Sequence, residues 1–184
     1  MMSEQDRHRW DRKWQERRGT TAVNPLLRSH RRWWTGGLAL DVACGQGQNA
    51  IWLAHHGYHV LGVDISRVAL AVAQTKARQQ GVEQLVFAQV DLDQWRPTVL
   101  TYDLICVFRF LDRTLFPALE AALRPGGFLV YQTRHSGRLL SEPDANPEYL
   151  LQPGELRRAF STLTLYWYEA GRENASLIAR KPKE

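Results

Sequence analysis

The sequence predicts an α/β domain built on a doubly wound, mostly parallel sheet that ends in a C-terminal antiparallel hairpin. Three observations carry this. Short apolar runs alternate with helix-period segments through residues 37–133. The run Leu104-Ile105-Cys106-Val107-Phe108 is apolar on both faces, as a central parallel strand must be. Two β-rich runs, 163–168 and 176–180, flank Glu169-Ala170-Gly171-Arg172-Glu173-Asn174 and read as a hairpin.

Each element has its own reason. Residues 38–42 form a compact apolar strand that runs into the glycine turn 44–47. Ala50, Leu53, Ala54 and Gly57 then recur at helical spacing, and Gly57 ends that helix. Residues 58–63 make the second strand. Ser66 is an N-cap for a helix whose buried stripe is Val68, Ala71, Val72 and Thr75 and which stops at Gly81. Residues 85–90 and 102–108 are the third and fourth strands. A helix over 115–123, with Pro117 in its first turn, is expected to stop at Arg124-Pro125-Gly126-Gly127, before a fifth strand at 128–133. Residues 134–152 read as a long loop and 153–160 as a short helix. No repeat or internal boundary is visible, so the chain divides into an N-terminal arm, 1–36, and one domain, 37–184.

Composition bounds the function. A length of 184 residues, 44% of them hydrophobic and 23% charged, excludes disorder, collagen and coiled coil for the whole chain. No apolar run reaches the roughly 18–20 residues of a membrane span. The N-terminus has no apolar core of a secretory signal. Cys44 and Cys106 have neither metal-ligand spacing nor the look of a disulfide framework. A cytoplasmic protein is expected. The net charge of +5 lies wholly in residues 1–34, which hold nine Lys/Arg and four Asp/Glu. That arm also carries Trp10, Trp14, Trp33 and Trp34. Basic residues among aromatics can track nucleic acid, but a dedicated binder shows a basic domain as well as a basic arm. The arm is therefore read as an amphipathic helix that packs its Trp face and solvates its Arg face.

The informative segment is Asp41-Val42-Ala43-Cys44-Gly45-Gln46-Gly47-Gln48-Asn49-Ala50, a strand that turns through two glycines into a helix. Glycines admit a ligand close to the backbone, and free helix N–H groups face it. Asp64 follows at the tip of the second strand, where a carboxylate can accept both hydroxyls of a ribose. Gly45-x-Gly47-x-x-Ala50 also matches the dinucleotide fingerprint. Against a pyrophosphate stands Asp41 at the mouth of the loop, which suits an ammonium or a sulfonium. Asp91 adds a third acid on the same rim, with the Leu92 N–H beside it. Three acids at successive strand tips describe a cationic, adenosine-containing ligand better than a dianionic one.

On these residues, with Tyr102-Asp103-Leu104-Ile105-Cys106-Val107 and Leu123-Arg124-Pro125-Gly126-Gly127-Phe128, the sequence resembles the class I S-adenosylmethionine-dependent methyltransferases over residues 37–181. Asn49-Ala50-Ile51-Trp52-Leu53-Ala54 and 147–156 are similar to the tellurite-resistance and thiopurine-type small-molecule branch. The resemblance implies a Rossmann-like fold and S-adenosyl-L-methionine as cofactor. It implies that Gly45 and Gly47 cradle the methionine moiety, with Asp41, Ala43 and Ile65 lining the site. It further implies that Asp64 holds the ribose, that Asp91 and Leu92 read adenine, and that Phe108 lines the pocket. Ala43 departs from the pattern, because many members carry a glycine there.

The cofactor's sulfonium already activates the methyl group, so the protein's main task is alignment. A soft acceptor needs no base; a hydroxyl or amine is helped by one. Arg109 and Asp112 past the fourth strand, and Arg134 and His135 past the fifth, are the acceptor-side candidates. Arg109 suits an anion, or else pairs with Asp112; His135 suits a base, or else is merely solvated. The catalytic assignment stays open, with Arg109 and His135 as candidates. His55-His56 has no third ligand, and no metal is expected. A lid role for the arm around Trp10, Trp14 and Asn24-Pro25 is a further expectation. The expected substrate is a small-molecule thiol, chalcogen oxyanion, hydroxyl or amine, handled by a monomer or weak homodimer without nucleic acid or membrane. An RNA or protein methyltransferase gripping through the arm, an NAD-dependent dehydrogenase and a non-catalytic cofactor module are the alternatives.

Overall fold

The structure, a computed structural model, describes residues 4–16 and 22–183. The chain divides into two compact units, residues 1–96 and 97–184.

In the first unit the described residues of the arm hold two helices. Helix α1 spans Glu4–Glu16 and α2 spans Pro25–Ser29. Asn24 caps α2, accepting the Leu26 N–H at 2.9 Å. Strand β1, Gly37–Val42, leads through the glycine turn into α3, Gln48–His55. Strand β2, Tyr58–Asp64, follows. Helix α4, Arg67–Gln79, is capped by the Ser66 hydroxyl, which accepts the Ala69 N–H at 3.2 Å. Strand β3 is Leu85–Gln89. All three strands are parallel in the order β3-β2-β1, with Val42 opposite Val63 and Asp64 opposite Gln89. Their core includes Leu27, Leu40, Leu53 and Val63, all essentially inaccessible. Trp34 of the arm is buried with them, its indole N–H donating to the Leu27 carbonyl at 2.7 Å.

The second unit starts with β4, Tyr102–Phe108, which was expected over the same residues. A 3-10 turn, Arg113–Leu115, precedes α5, Phe116–Ala122. Strand β5, Leu123–Arg134, differs from expectation: it runs through Arg124-Pro125-Gly126-Gly127 instead of beginning after them. The reason is a register shift against β4, with Tyr102 opposite Leu123 but Leu104 opposite Phe128. Gly126 takes φ +81°, and Lys181 braces the irregularity by bonding Gly126 and Gly127 through its backbone. The segment after β5 is also more ordered than a plain loop. It holds 3-10 turns at Ser136–Leu140 and Pro147–Tyr149, and His135 bridges to Leu151. Helix α6, Glu155–Ala159, and the hairpin of β6, Thr164–Ala170, and β7, Asn174–Arg180, complete the unit. Strand β4 is parallel to β5, and β5-β7-β6 are antiparallel. The aromatic core is Phe116, Tyr131 and Phe160, with ring centroids 5.1–6.0 Å apart.

The strands and helices thus form the α/β class read from the sequence, mostly parallel with an antiparallel C-terminal hairpin. Among the described residues no helix is long and apolar enough to cross a membrane.

Candidate functional site

The glycine turn after β1 reverses by left-handed residues. Ala43, Gly45 and Gly47 take φ of +53°, +56° and +75°. Cys44 N–H donates to the Val63 carbonyl at 2.9 Å, which ties the turn to β2. Gly47 occupies the N-cap of α3 with no side chain to satisfy the first helical N–H groups.

The acids at the strand ends differ in their partners. Asp64 is buried, and both of its oxygens accept backbone N–H groups at 2.8 Å, Oδ2 from Gly45 and Oδ1 from Ser66. Burial raises its pKa, against the pull of those N–H groups and of Ile65. Asp41 is only 1% exposed, and its Oδ2 accepts no hydrogen bond. Burial carries its pKa up to about 8, opposed by the Ala50 N–H and reinforced by the charge of Asp64. The thiol of Cys44, between the same acids, is pushed well above its ordinary range by burial and by both carboxylates. Asp91 closes its own turn, its Oδ1 accepting the Asp93 N–H at 3.0 Å, and Leu92 is buried. Gln48 Oε1 is a second buried oxygen without a partner.

The two glycines serve different neighbours. A Cβ on Gly45 would come within 2.9 Å of the Trp14 ring, so α1 lies over the turn. A Cβ on Gly47 would meet the Phe87 ring at 2.6 Å and Ala73 at 2.9 Å. The nearest reason for Gly47 is therefore packing. Asp11 anchors α1 to the same region: it accepts the Ser66 hydroxyl at 2.5 Å and the Val68 N–H at 3.3 Å. Asn24 N–H donates to Asn49 Oδ1 at 2.9 Å. Sequence reading placed Trp14 near the site but missed Asp11. The available signal was its position three residues before Trp14, on the same helix face.

In the second unit, Phe108 ends β4 half-buried. Arg109 follows in a left-handed conformation, φ +57°, with its N–H donating to the Gln132 carbonyl at 2.8 Å. Its side chain is exposed. Asp112 does not take it up; it accepts the N–H and the hydroxyl of Thr114 at 2.9 and 2.8 Å. Both ring nitrogens of His135 are engaged. Nδ1 accepts the Gly137 N–H at 3.0 Å, which leaves Nε2 to donate to the Gly171 carbonyl. Neither nitrogen is left over for a substrate proton. Among the described residues no cluster of three or more His, Cys, Asp or Glu could hold a metal ion.

The buried, unpartnered Asp41 oxygen beside a left-handed glycine turn fits a ligand with a positive charge, and the carboxylate of Asp64 has lone pairs left for hydroxyls. Comparison with known proteins names such a class. Residues 39–127 match the methyltransferase-domain family. Ubiquinone biosynthesis O-methyltransferase of Acinetobacter baumannii (strain AYE) is 29% identical over 134 residues, which are 67% of this chain and 56% of that protein. Two solved structures share the fold. TehB from Haemophilus influenzae has a TM-score of 0.76 at 16% identity, over 93% of this chain and 66% of that one. An S-adenosylmethionine-dependent methyltransferase from Mesorhizobium loti has a TM-score of 0.71 at 19% identity, over 85% and 96%. Over residues 39–127 the chain is thus similar to the methyltransferase-domain family, and its fold is shared with S-adenosylmethionine-dependent methyltransferases of known structure. It spans little more than half the length of the curated relatives it matches.

Proposed function

We propose that the chain transfers the methyl group of S-adenosyl-L-methionine to a small-molecule acceptor in the cytoplasm. The observation that carries this is Asp41: a buried carboxylate oxygen without a hydrogen bond, at the mouth of a glycine turn. In a soluble fold such an atom is costly unless a ligand completes it.

When bound, the cofactor supplies an already activated methyl group. The chain's own residues bind and orient. Asp41 accepts the ammonium of the methionine end, while Ala43, Gly45 and Gly47 give that end a backbone surface without side chains longer than a methyl. Asp64 accepts ribose hydroxyls beside Ile65, on the lone pairs its two backbone bonds leave over. Asp91 and Leu92 receive adenine. Trp14, held over Gly45 by the Asp11–Ser66 bond, excludes water from the turn. Cys44 and Cys106 are both buried and suit a reducing compartment, and no step needs them.

The test is titration of the purified chain with S-adenosylhomocysteine and with NADH, followed by a panel of thiols, phenols, amines and chalcogen oxyanions read by S-adenosylhomocysteine release. Saturable binding of S-adenosylhomocysteine and turnover of at least one acceptor is expected. Binding of NADH alone would refute the proposal.

A further inference from the structure

We propose that helix α1 is a gate over the glycine turn, that it lifts to admit the S-adenosyl ligand, and that the bond from Ser66 to Asp11 is its latch. This rests on the methyltransferase reading and adds to it how the ligand enters. Gate, latch and turn all lie within residues 1–96.

The two acids assigned to the ligand are covered by the chain itself. Asp41 is 1% exposed and Asp64 7%, and Gly45 and Gly47 are buried with them. A nucleoside reaches them only if a covering element moves. Beneath the turn, Leu40 of β1, Leu53 of α3, Val63 of β2 and Ala73 of α4 are inaccessible core, and displacing them means unfolding. Helix α1 is held differently. Its only apolar side chains are Trp10 and Trp14, both half-buried, and it packs chiefly on α4. So few buried apolar contacts place it at the low end of local stability. Trp14 nonetheless sits on the turn. Its Cζ2 and Cη2 lie 2.9 and 3.1 Å from where a Cβ on Gly45 would stand, so the ring fills that side of the glycine. From Asn24 onward the arm is fixed, with Leu26, Leu27 and Trp34 buried and the Asn24 N–H bonded to Asn49.

The latch is one carboxylate. Asp11 Oδ1 accepts the Ser66 hydroxyl at 2.5 Å and the Val68 N–H at 3.3 Å, at the end of α4 where unsatisfied helical N–H groups favour an anion. A charge-assisted bond of this kind outweighs a neutral one. Ser66 is also held by the ribose acid, since Asp64 Oδ1 accepts its N–H at 2.8 Å. Burial raises the Asp64 pKa and the nearby charge of Asp11 adds to it, so the two carboxylates are neighbours across this serine. Ser66 therefore joins gate and binding site, with α1 on its hydroxyl and Asp64 on its backbone. Releasing Asp11 frees α1 without disturbing either acid of the site. The Ser66 oxygen still accepts the Ala69 N–H, so the latch opens without unwinding α4.

The experiment uses the full chain with S-adenosylhomocysteine as probe, its association and dissociation followed separately by stopped-flow tryptophan fluorescence. A latched gate slows entry, so Asp11→Ala is expected to raise the association rate at least about tenfold, the size of a lost hydrogen bond to a charged group. Asp11→Asn, which keeps an oxygen for the Ser66 hydroxyl, falls between, and Trp14→Ala also speeds association. A helix that only touched the bound ligand would change dissociation alone, so wild-type association in Asp11→Ala overturns the proposal. Hydrogen exchange without ligand reads the latch independently. A lifted helix of 13 residues is marginal in water, so α1 is expected to exchange at least about tenfold faster in Asp11→Ala while β1 and β2 keep their protection. Unchanged exchange in α1, or an equal rise in β1 and β2, also overturns the gate. No binding of S-adenosylhomocysteine by any of these chains sinks the methyltransferase reading, whereas binding with unchanged association sinks the gate alone.

Discussion

Gly45 donates its backbone N–H to Oδ2 of Asp64 at 2.8 Å, so the glycine turn after the first strand is pinned to the acid that ends the second. Asp64 holds Ser66, the N-cap of α4, by its other oxygen. One carboxylate therefore positions both the glycine turn and the start of α4. Asp64→Ala orphans two buried N–H groups and should cost about 1–3 kcal/mol of stability. It should also weaken S-adenosylhomocysteine binding by at least about tenfold. Asp64→Asn, which keeps one acceptor oxygen, should fall between. Denaturant unfolding and calorimetry measure the two effects, and an Ala variant with wild-type affinity would remove Asp64 from the ribose assignment.

Asp41 gives a pH dependence whose sign can be worked out. Its ordinary value is 3.8 and burial raises it to about 8 in the folded chain. Between those values the folded state holds a proton that the unfolded state has released, so stability falls as pH rises across this window. The burial-driven rise at Asp64 acts in the same direction. Unfolding free energy should therefore drop from about pH 5 to about pH 8, and more steeply in the wild type than in Asp41→Asn.

An ammonium beside Asp41 favours the ionised form, so binding of S-adenosylhomocysteine near neutral pH should release a proton. Titration heats in buffers of different ionisation enthalpy should then diverge in proportion to those enthalpies. Asp41→Asn should lose the divergence. Identical heats for the wild type in all buffers would contradict the ammonium assignment.

Phe87 accounts for a glycine in the middle of β2. A Cβ on Gly62, in mid-strand, would come within 2.7 Å of the Phe87 ring and 3.1 Å of Cys44 Sγ. Gly62→Ala should destabilise the chain by about 1–3 kcal/mol through overpacking. Phe87→Leu in the same chain should restore part of that loss, so that the two changes are not additive. Additive effects in a double-mutant cycle would show that the ring is not the obstacle.

Ala43 tests how far the turn tolerates a methyl group. It sits at φ +53°, where a Cβ is disfavoured by about 1–2 kcal/mol. Ala43→Gly should leave stability unchanged or raise it by up to about 1 kcal/mol, the relief being offset by the entropy of the unfolded glycine. A clear loss in the denaturation midpoint would mean that the methyl group makes a needed contact.

Much of this was legible in the residues because the signals were local. The alternation of apolar runs with helix-period segments gave every strand to within a residue or two, except β5, but the buried face of α4 is Ala69, Leu70, Ala73 and Ala77 and not the expected Val68, Ala71, Val72 and Thr75. There the Pro125-Gly126-Gly127 signal for a turn was real, but tertiary pairing absorbed it as an irregularity inside the strand, braced by Lys181 from a distant part of the chain. The glycine turn and the acids at the strand tips were equally visible. Which of those acids is spoken for was not visible. Each oxygen of Asp64 already accepts one backbone N–H, whereas Asp41 is left with an oxygen that accepts none, a difference that depends on burial and on partners remote in sequence. Likewise the sequence did not show that the space beside Gly47 is filled by the Phe87 ring. His135 reads as a base until both nitrogens are found occupied.

The most direct measurement is a crystal structure of the chain grown with S-adenosylhomocysteine. The nucleoside is expected along the turn from Ala43 to Gly47, its amino group within hydrogen-bond distance of Asp41 Oδ2 and its ribose on Asp64. Density for the nucleoside at any other place, with Asp41 still unpartnered, would contradict that arrangement.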